Sequence, residues 1–368
     1  MGVGIASGEY ILYPYIASQI GLAFLWAALV GLLTQFFINM EVERYTLATG
    51  ETAVTGFQRL WRPLGLVMVA CAIVPNMWPG WATSAATATL FLFGGDEDSA
   101  RWIAIIAGIA IQRLAGRLPD DREDGVRQGR PGPRVPGRGA RSRGHGRVLR
   151  ELSQVVTEFG RFPGELEVAV LLGALAYAGA GGTNNLVVSN WIRDKGYGMG
   201  KYAPRIVSPI SGEEEAAPSG QGYVFRPDEP NMERWRDWWR KANIEQFVSF
   251  FVIGALTITV FSLVARSTVF QAGGFEEADF DFIRVEDNLL KESVGPWFGT
   301  MFWLIGAIAL FAAALGIIDY VARLVADVLL VGYLRDSPRW TESACTSRSC
   351  GGSSPSASSC CCWGSTSR

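Results

Sequence analysis

The stretch VAVLLGALAYAGAGGTNNLVVSNWI, residues 168–192, decides the fold of this chain. It contains no Asp, Glu, Lys or Arg, and it exceeds the roughly 20 residues that an apolar helix needs to cross a bilayer. Its centre, GAGGTNN (Gly179–Asn185), is rich in glycine, which releases the chain from the helix. A broken helix survives in a bilayer only where it lines a cavity or is buried in protein. The stretch therefore predicts a discontinuous membrane helix.

Four further stretches of similar length also lack charged side chains: Ile20–Ile38, Leu64–Phe93, Gln246–Ala265 and Pro296–Ile318. Only 18% of the 368 residues are charged and the net charge is −2, which excludes an ordinary soluble protein and a nucleic-acid binder. These stretches predict an all-α, polytopic transmembrane helical bundle in the lipid bilayer of a bacterial-type cytoplasmic membrane. Lys and Arg at both ends of the loop 193–245 predict a cytoplasmic location for that loop.

A second break, GIASGEY (Gly4–Tyr10), precedes the first predicted span. Two discontinuous helices at corresponding positions of two halves are the best sequence indication of a transporter's binding site. A carboxylate inside a membrane is a functional hypothesis by default, which singles out Glu9. The residues expected to bind a substrate or ion are Ser7, Gly8, Glu9, Gly182, Thr183, Asn184 and Asn185.

Each of these residues also has a structural interpretation. Glu9 lies so near the first methionine that it could simply lie in water. Thr183 and the two asparagines after it could hydrogen-bond between helices, while the glycines allow close packing. Glu41, with the neighbouring Glu43 and Arg44, forms either an internal proton or salt-bridge network or a cluster at the membrane interface. Asp319 is expected at the interface.

Signatures of enzymes are absent from the sequence. The only histidine, His145, lies in an arginine-rich segment. The rest of the chain therefore contains no histidine with which to build a catalytic triad or a metal cluster. The cysteines after Ala344 form no CxxC pair. No enzymatic activity, resident cofactor, nucleic-acid partner or obligate protein partner is expected. WRDWWRKAN (Trp235–Asn243) is typical of an amphipathic segment at the membrane interface, and we assign it no chemistry.

Two segments differ in composition from the rest of the chain. Arg113–Arg150 contains 11 arginines, and the tail 341–368 is rich in Ser and Cys. We hypothesise that residues 113–150 and the tail from about Ala344 are translated out of frame. The alternatives are a disordered basic loop with a Ser-rich tail, or a basic segment that binds RNA or acidic lipid. The chain accordingly divides into two transmembrane regions, 1–112 and 151–340, separated and followed by these segments.

The sequences around the two breaks resemble those of a known protein family. GIASGEYILYPYIASQIGLAFLWAALVGLLTQFFINMEVERYTLATGET (residues 4–52) is similar to the first two helices of Nramp-type divalent-metal transporters. AYAGAGGTNNLVVSNWIRDKGYGMGKY (residues 176–202) is similar to their sixth helix and the loop after it. The resemblance, to a divergent Nramp-related branch, implies a partial leucine-transporter-like inverted repeat with broken first and sixth helices. It also implies that the chain starts inside the first broken helix and lacks helices near residues 113–150 and after the last span.

The family's signature motifs are altered in this chain. Asp-Pro-Gly-Asn of the first helix is matched by Ala6–Glu9 (ASGE), and Met-Pro-His-Asn of the sixth helix by Gly182–Asn185 (GTNN). The resemblance thus implies Glu9 and Asn184 as metal ligands, and Glu9 or Glu41 as a proton relay. Loss of the thioether favours a harder cation, or another small solute. The expected function is a secondary transporter-like protein that moves a cation by alternating access. The alternative is a non-transporting, pseudogene-like membrane fragment with at most an interaction role.

Overall fold

The computed structural model describes residues 8–76, 80–93, 153, 155–164, 167–176, 178–179, 181–203, 222–270 and 280–333. Every regular element in these ranges is a helix, which confirms the all-α class. The α-helices are α1 (Tyr13–Ile20), α2 (Leu25–Thr49), α3 (Ala53–Leu60), α4 (Pro63–Asn76), α5 (Gly80–Leu92), α6 (Val168–Ala176), α7 (Asn184–Asp194), α8 (Glu229–Gln246), α9 (Ile253–Thr268), α10 (Phe280–Ser293) and α11 (Pro296–Gly332). Short π-helical turns cover Gly8–Leu12 and Phe247–Val252, and a 3₁₀ helix covers Gly198–Tyr202.

Three helices in the described part are long and apolar enough to cross a membrane: Leu25–Thr49, Glu229–Thr268 and Pro296–Gly332. This confirms the prediction of apolar membrane-type helices. Leu64–Phe93 instead forms two shorter apolar helices, α4 and α5, on either side of residues 77–79.

The bounds of two predicted spans were wrong. The span placed at Ile20–Ile38 begins only at Leu25, because α1 ends at Ile20 and Gly21 turns the chain with a φ of +70°. The span placed at Gln246–Ala265 is the second half of a 40-residue helix that begins at Glu229.

The long cytoplasmic loop predicted at 193–245 is therefore largely helical in its described part, since α8 occupies its second half. The carboxylate of Asp228 caps α8 by accepting a hydrogen bond from the backbone N–H of Asn231 at 3.0 Å. The segment Trp235–Asn243 lies within α8, so the predicted amphipathic element is a continuous extension of a span.

The bundle packs helices from both predicted transmembrane regions into one apolar core. α1 packs on α9, α2 on α7, and α5 on α11. Small residues allow the closest approaches: a Cβ at Gly31 of α2 would lie 2.5 Å from the carbonyl oxygen of Leu175 and 2.8 Å from the Cβ of Ala178. A Cβ at Gly306 of α11 would overlap the ring of Tyr10. These contacts hold α2 and α11 against the two helix breaks.

Residues 113–150 and 341–368, for which the reading-frame hypothesis was made, lie outside the described residues.

Candidate functional site

The described end of the first predicted break, Gly8–Tyr10, meets the second break in the interior of the bundle, and residues 4–7 lie outside the described residues. Glu9 lies in the π-helical turn before α1 and has 0% of its surface exposed. Its Oε1 accepts a hydrogen bond from the backbone N–H of Gly179 at 3.2 Å. Gly179 lies between α6 and α7, so its N–H is free of the helical ladder and available to a side chain. The contact brings together a carboxylate and a backbone donor that are 170 residues apart in sequence.

Backbone geometry explains the second break. The chain leaves the helix after Ala176 and re-enters it at Asn184, and Gly179 and Gly182 adopt φ values of +90° and +75°. Residues with a Cβ rarely adopt such angles, so glycine at these two positions permits the turn. The break thus begins earlier than the predicted Gly179–Asn185 and also ends earlier. Asn184 and Asn185 are the first two residues of α7 and do not lie in the irregular segment.

Two polar side chains satisfy the carbonyl groups left over at the end of α6. The hydroxyl of Tyr13 donates to the carbonyl oxygen of Ala174 at 2.6 Å. The Nε2 of Gln35 donates to the carbonyl oxygen of Ala176 at 2.9 Å. The last four carbonyls of a helix have no partner within it, and leaving them bare in an apolar interior would be costly. Tyr13 and Gln35 therefore stabilise the broken helix, and neither was predicted as a site residue from the sequence.

The other predicted site residues have different environments. Gly8 is half-buried beside Glu9, and Ser7 lies outside the described residues. Gly182 is exposed, while Thr183 and Asn184 are half-buried. Asn185 is buried, and its Oδ1 has no hydrogen-bond partner in the part of the chain that the structure describes. Glu9 and Gly179 are thus the pair that joins the breaks, and Asn185 offers an acceptor nearby in sequence.

A polar stripe extends along α2 from the second break. Gln35, Asn39 and Glu43 are spaced four residues apart and are all buried, so they share one face of α2. One oxygen of Asn39 and one of Glu43 have no hydrogen-bond partner among the described residues. α2 packs on α7, whose buried polar residues include Asn185 and Asn190. Spacing by four was the signal that could have identified Gln35 and Asn39 from the sequence.

Glu41 is not brought to this site. Its side chain is 62% exposed and forms an ion pair with Arg44, whose Nε donates to Glu41 Oε2 at 2.9 Å. Glu43, two residues further on, is 2% exposed. Each residue of an α-helix is rotated by about 100° from the one before, so residues two apart point in nearly opposite directions. Glu41 and Glu43 therefore have opposite environments although they lie in one helix.

Lys195, Glu245 and Tyr197 lie close together beyond the end of α7. Lys195 forms an ion pair with Glu245, and the hydroxyl of Tyr197 donates to Glu245 Oε2 at 3.2 Å. The pKa of Tyr197 is raised, mainly by burial and to a lesser extent by the nearby carboxylates of Glu245 and Glu43. The buried Glu43 therefore lies near this cluster.

A network of charged residues ties α7 to α11 and to the turn after α2. Arg323 pairs with Asp194 and donates from its Nε to Asp319 Oδ2 at 2.9 Å. Asp327 is 1% exposed; it accepts a hydrogen bond from the hydroxyl of Thr52, and its Oδ1 lies 3.9 Å from Arg193 Nη1. Asp319, expected at the interface, is a partly buried member of this network. The two arginines and Asp327 are not recognisable from the sequence, because each lies in an amphipathic segment whose buried face depends on tertiary packing.

The chemistry of the site is that of oxygen ligands. Among the described residues no group of three or more His, Cys, Asp or Glu side chains could hold a metal ion. Glu9 has the one carboxylate, and Asn184 and Asn185, which the sequence predicts as neutral ligands, have amide oxygens. Oxygen ligands suit hard cations.

Comparisons with known proteins do not identify a family. No protein-family model matches this chain, and no curated protein matches it. Its resemblance to Nramp-type transporters remains a prediction from the quoted motifs.

Proposed function

We propose that this protein is a secondary transporter-like membrane protein that moves a small cation by alternating access. The proposed architecture is a partial leucine-transporter-like inverted repeat, with the first and sixth helices broken around Glu9 and Gly179. The observation that carries the proposal is the hydrogen bond from the Gly179 N–H to the buried Glu9 carboxylate at 3.2 Å. Paired broken helices that meet at a carboxylate are the arrangement in which membrane transporters bind ions.

The ligands favour a hard cation or a small polar solute over a soft transition metal. Glu9 would provide the negative charge, and Asn184, Asn185 and backbone carbonyls released at the breaks would provide neutral oxygens. No thioether or thiol occurs at the matching positions, and carboxylate and carbonyl oxygens suit Mg²⁺, Ca²⁺ or Mn²⁺.

Proton coupling, if the transporter uses it, involves Glu9 and one acid on α2. Glu43 is the better candidate for that acid, because it is buried in the bundle near Lys195 and Glu245, whereas Glu41 is exposed and paired with Arg44. A relay needs acids that face the bundle interior. We therefore place Glu43 ahead of Glu41 in this role.

Alternating access requires one side of the site to close while the other opens. The network of Arg193, Arg323, Asp194, Asp319 and Asp327 joins α7 to α11 and would need to separate for the site to open at that end. Arg193 and Asp194 lie on α7, the helix that follows the second break, so movement of α7 would act directly on their contacts with α11.

Cation uptake into proteoliposomes tests the proposal. The full chain is reconstituted with a fluorescent indicator inside, and Mg²⁺, Mn²⁺ and Ca²⁺ are added outside in turn. We expect uptake above empty liposomes for at least one cation, and loss of most of that uptake in Glu9→Gln and Asn184→Ala. Glu41→Gln is the matched control, since it neutralises an exposed carboxylate, and it should retain uptake.

Two results would contradict the proposal in different ways. Uptake that persists in both Glu9→Gln and Asn184→Ala would show that the site lies elsewhere. An absence of uptake by the folded wild-type chain for all three cations would favour the alternative, a non-transporting membrane protein with an interaction role.

A further inference from the structure

α10 carries two acids within its apolar buried face. The buried residues of this helix are Phe282, Ile283, Glu286, Asp287 and Leu290, which follow the three- and four-residue spacing of a core-facing stripe. Phe282, Ile283 and Leu290 belong to the main apolar core of the bundle. Acids at such positions are rarely fully buried unless they are paired. The pattern therefore marks Glu286 and Asp287 as positions that packing alone does not explain.

Glu286 is the more unusual of the two acids. Its side chain is 0% exposed, and neither Oε1 nor Oε2 has a hydrogen-bond partner among the residues that the structure describes. Asp287, by contrast, is paired through its Oδ2 with Lys291 on the next turn of the same helix. An ionised carboxylate with no partner is strongly disfavoured in an apolar interior, whereas its neutral form is tolerated. The geometry thus favours the protonated acid at Glu286 while α10 is docked.

No cation of the described helices around α10 donates a hydrogen bond to Glu286. α5, and α11 from Pro296 to Ile318, contain no charged residue. Arg266 is the only charged residue of α9, and its guanidinium lies over the ring of Phe270 at 3.3 Å.

Two tyrosines face α10: Tyr10 in the π-helical turn before α1, and Tyr15 in α1. Tyr10 lies near Glu286 and Asp287, and its hydroxyl donates to the carbonyl oxygen of Phe302 at 3.3 Å. Tyr15 packs edge-on against Phe282. On α10 itself, Asp281 and Arg284 are exposed, and Arg284 Nη1 lies 3.5 Å from Asp281 Oδ1.

We propose that Glu286 is a proton-binding site that fastens α10 to the bundle. The carboxyl group holds its proton while α10 is packed against Tyr10 and α11, and releases it to water when α10 leaves the core. Undocking and deprotonation are therefore linked. This assignment concerns α10 alone and does not depend on whether the protein transports a cation.

The direction of the pH dependence follows from the shifted acid. Burial alone raises the pKa of Glu286 from its ordinary value of 4.5 to about 8. Below pH 4.5 the carboxyl group is protonated in both the docked and the undocked state, so docking is at its strongest. Between the two values only the undocked state ionises, so docking weakens by about tenfold for each pH unit. Above about 8 both states are ionised and the dependence levels off.

Hydrogen–deuterium exchange of the purified full chain measures the docking. An isolated 14-residue helix is barely stable in water, so the amides of α10 exchange once it leaves the core. After correction for the intrinsic pH dependence of exchange, protection of residues 280–293 in the wild type should fall by about tenfold per unit from pH 5 to pH 8. Glu286→Gln cannot ionise and should remove that slope. Glu292→Gln is the matched control, because it neutralises an exposed acid on the same helix and should keep the slope.

Difference infrared spectroscopy measures the proton itself. A protonated carboxylic acid has a C=O band distinct from carboxylate bands, and the wild type should show at pH 6 one such band that Glu286→Gln lacks and Glu292→Gln retains. A wild-type protection profile that stays flat from pH 5 to pH 8 would overturn the proposal, and it does so without any variant having to fold. An equal slope in Glu286→Gln, or an infrared band unchanged by that substitution, would overturn it as well.

Discussion

Gly179→Ala tests the geometry of the site most directly, because it changes one atom at the point where the two breaks meet. Gly179 adopts a φ of +90°, which an alanine reaches at a cost of about 1–2 kcal/mol. A Cβ at this position would also lie 2.7 Å from Cζ of Phe250 and 2.9 Å from Cδ2 of Leu32. Both side chains are buried and already packed, so they cannot swing into open space. Overpacking of this kind costs about 1–3 kcal/mol more.

Gly182→Ala is the matched control for that prediction. Gly182 belongs to the same break and has a similar φ of +75°, but a Cβ there would meet no atom within 4 Å. The control therefore carries the backbone strain without the overlap. The difference between the two variants isolates the packing of the break against α2 and the π-helical turn before α9, and we expect about 1–3 kcal/mol.

Thermal unfolding of the purified proteins in detergent, followed by intrinsic fluorescence, is the assay. Gly179→Ala should unfold several degrees below Gly182→Ala, which in turn should lie slightly below the wild type. Gly179→Ala should also lose more cation uptake, because the added methyl group displaces the N–H that donates to Glu9. Equal unfolding midpoints for the two variants would refute the reasoning, since they would mean that Gly179 is not enclosed by Leu32 and Phe250.

Two further substitutions probe the packing and the charges around the site. Gly31→Ala should lower the unfolding midpoint, because its Cβ would lie 2.5 Å from the backbone oxygen of Leu175. Gly173→Ala, where a Cβ meets no described atom within 4 Å, should leave the midpoint unchanged or raise it. Similar effects of the two substitutions would contradict the close approach of α2 and α6. Arg323→Met should destabilise the protein by about 1.5–3 kcal/mol in chemical denaturation, because it removes the charged hydrogen bonds from a buried guanidinium to the partly buried Asp194 and Asp319. Arg44→Met, which breaks an exposed pair, should cost no more than about 1 kcal/mol, and an equal loss in both variants would argue against the buried network.

Much of the helical framework could be predicted from local sequence. Runs without charge predicted apolar helices, and the structure places long apolar helices at three of them. The glycine cluster around Gly179 predicted the break between α6 and α7. The errors were at the ends of helices: the charged segment Trp235–Asn243 continues the helix of a span, and Gly21 delays the start of α2. Hydropathy indicates which part of a helix can lie in lipid, but it does not indicate at which residue the backbone hydrogen bonds of the helix begin or end.

Burial of the polar residues could be predicted much less well. Glu9 was identified from its place in a break, and it is buried there. Glu41 was chosen over its neighbour Glu43, yet it is Glu43 that faces the interior. Gln35, Asp327 and Glu286 were missed, because a polar residue in an otherwise ordinary helix gives no local sign of which face it occupies.

The sequence by itself determined that this chain forms membrane-type helices and that the glycine-rich stretch around Gly179 interrupts its helix, because apolar length and glycine act through the local backbone. Only the tertiary structure decided that this interruption meets the π-helical turn of Glu9, with the N–H of Gly179 donating to that carboxylate, and that Glu286 lies in the core with no hydrogen-bond partner among the described residues. Pairing of this kind depends on contacts between residues far apart in the chain, and the cost of burying each polar group is set by the helices that surround it.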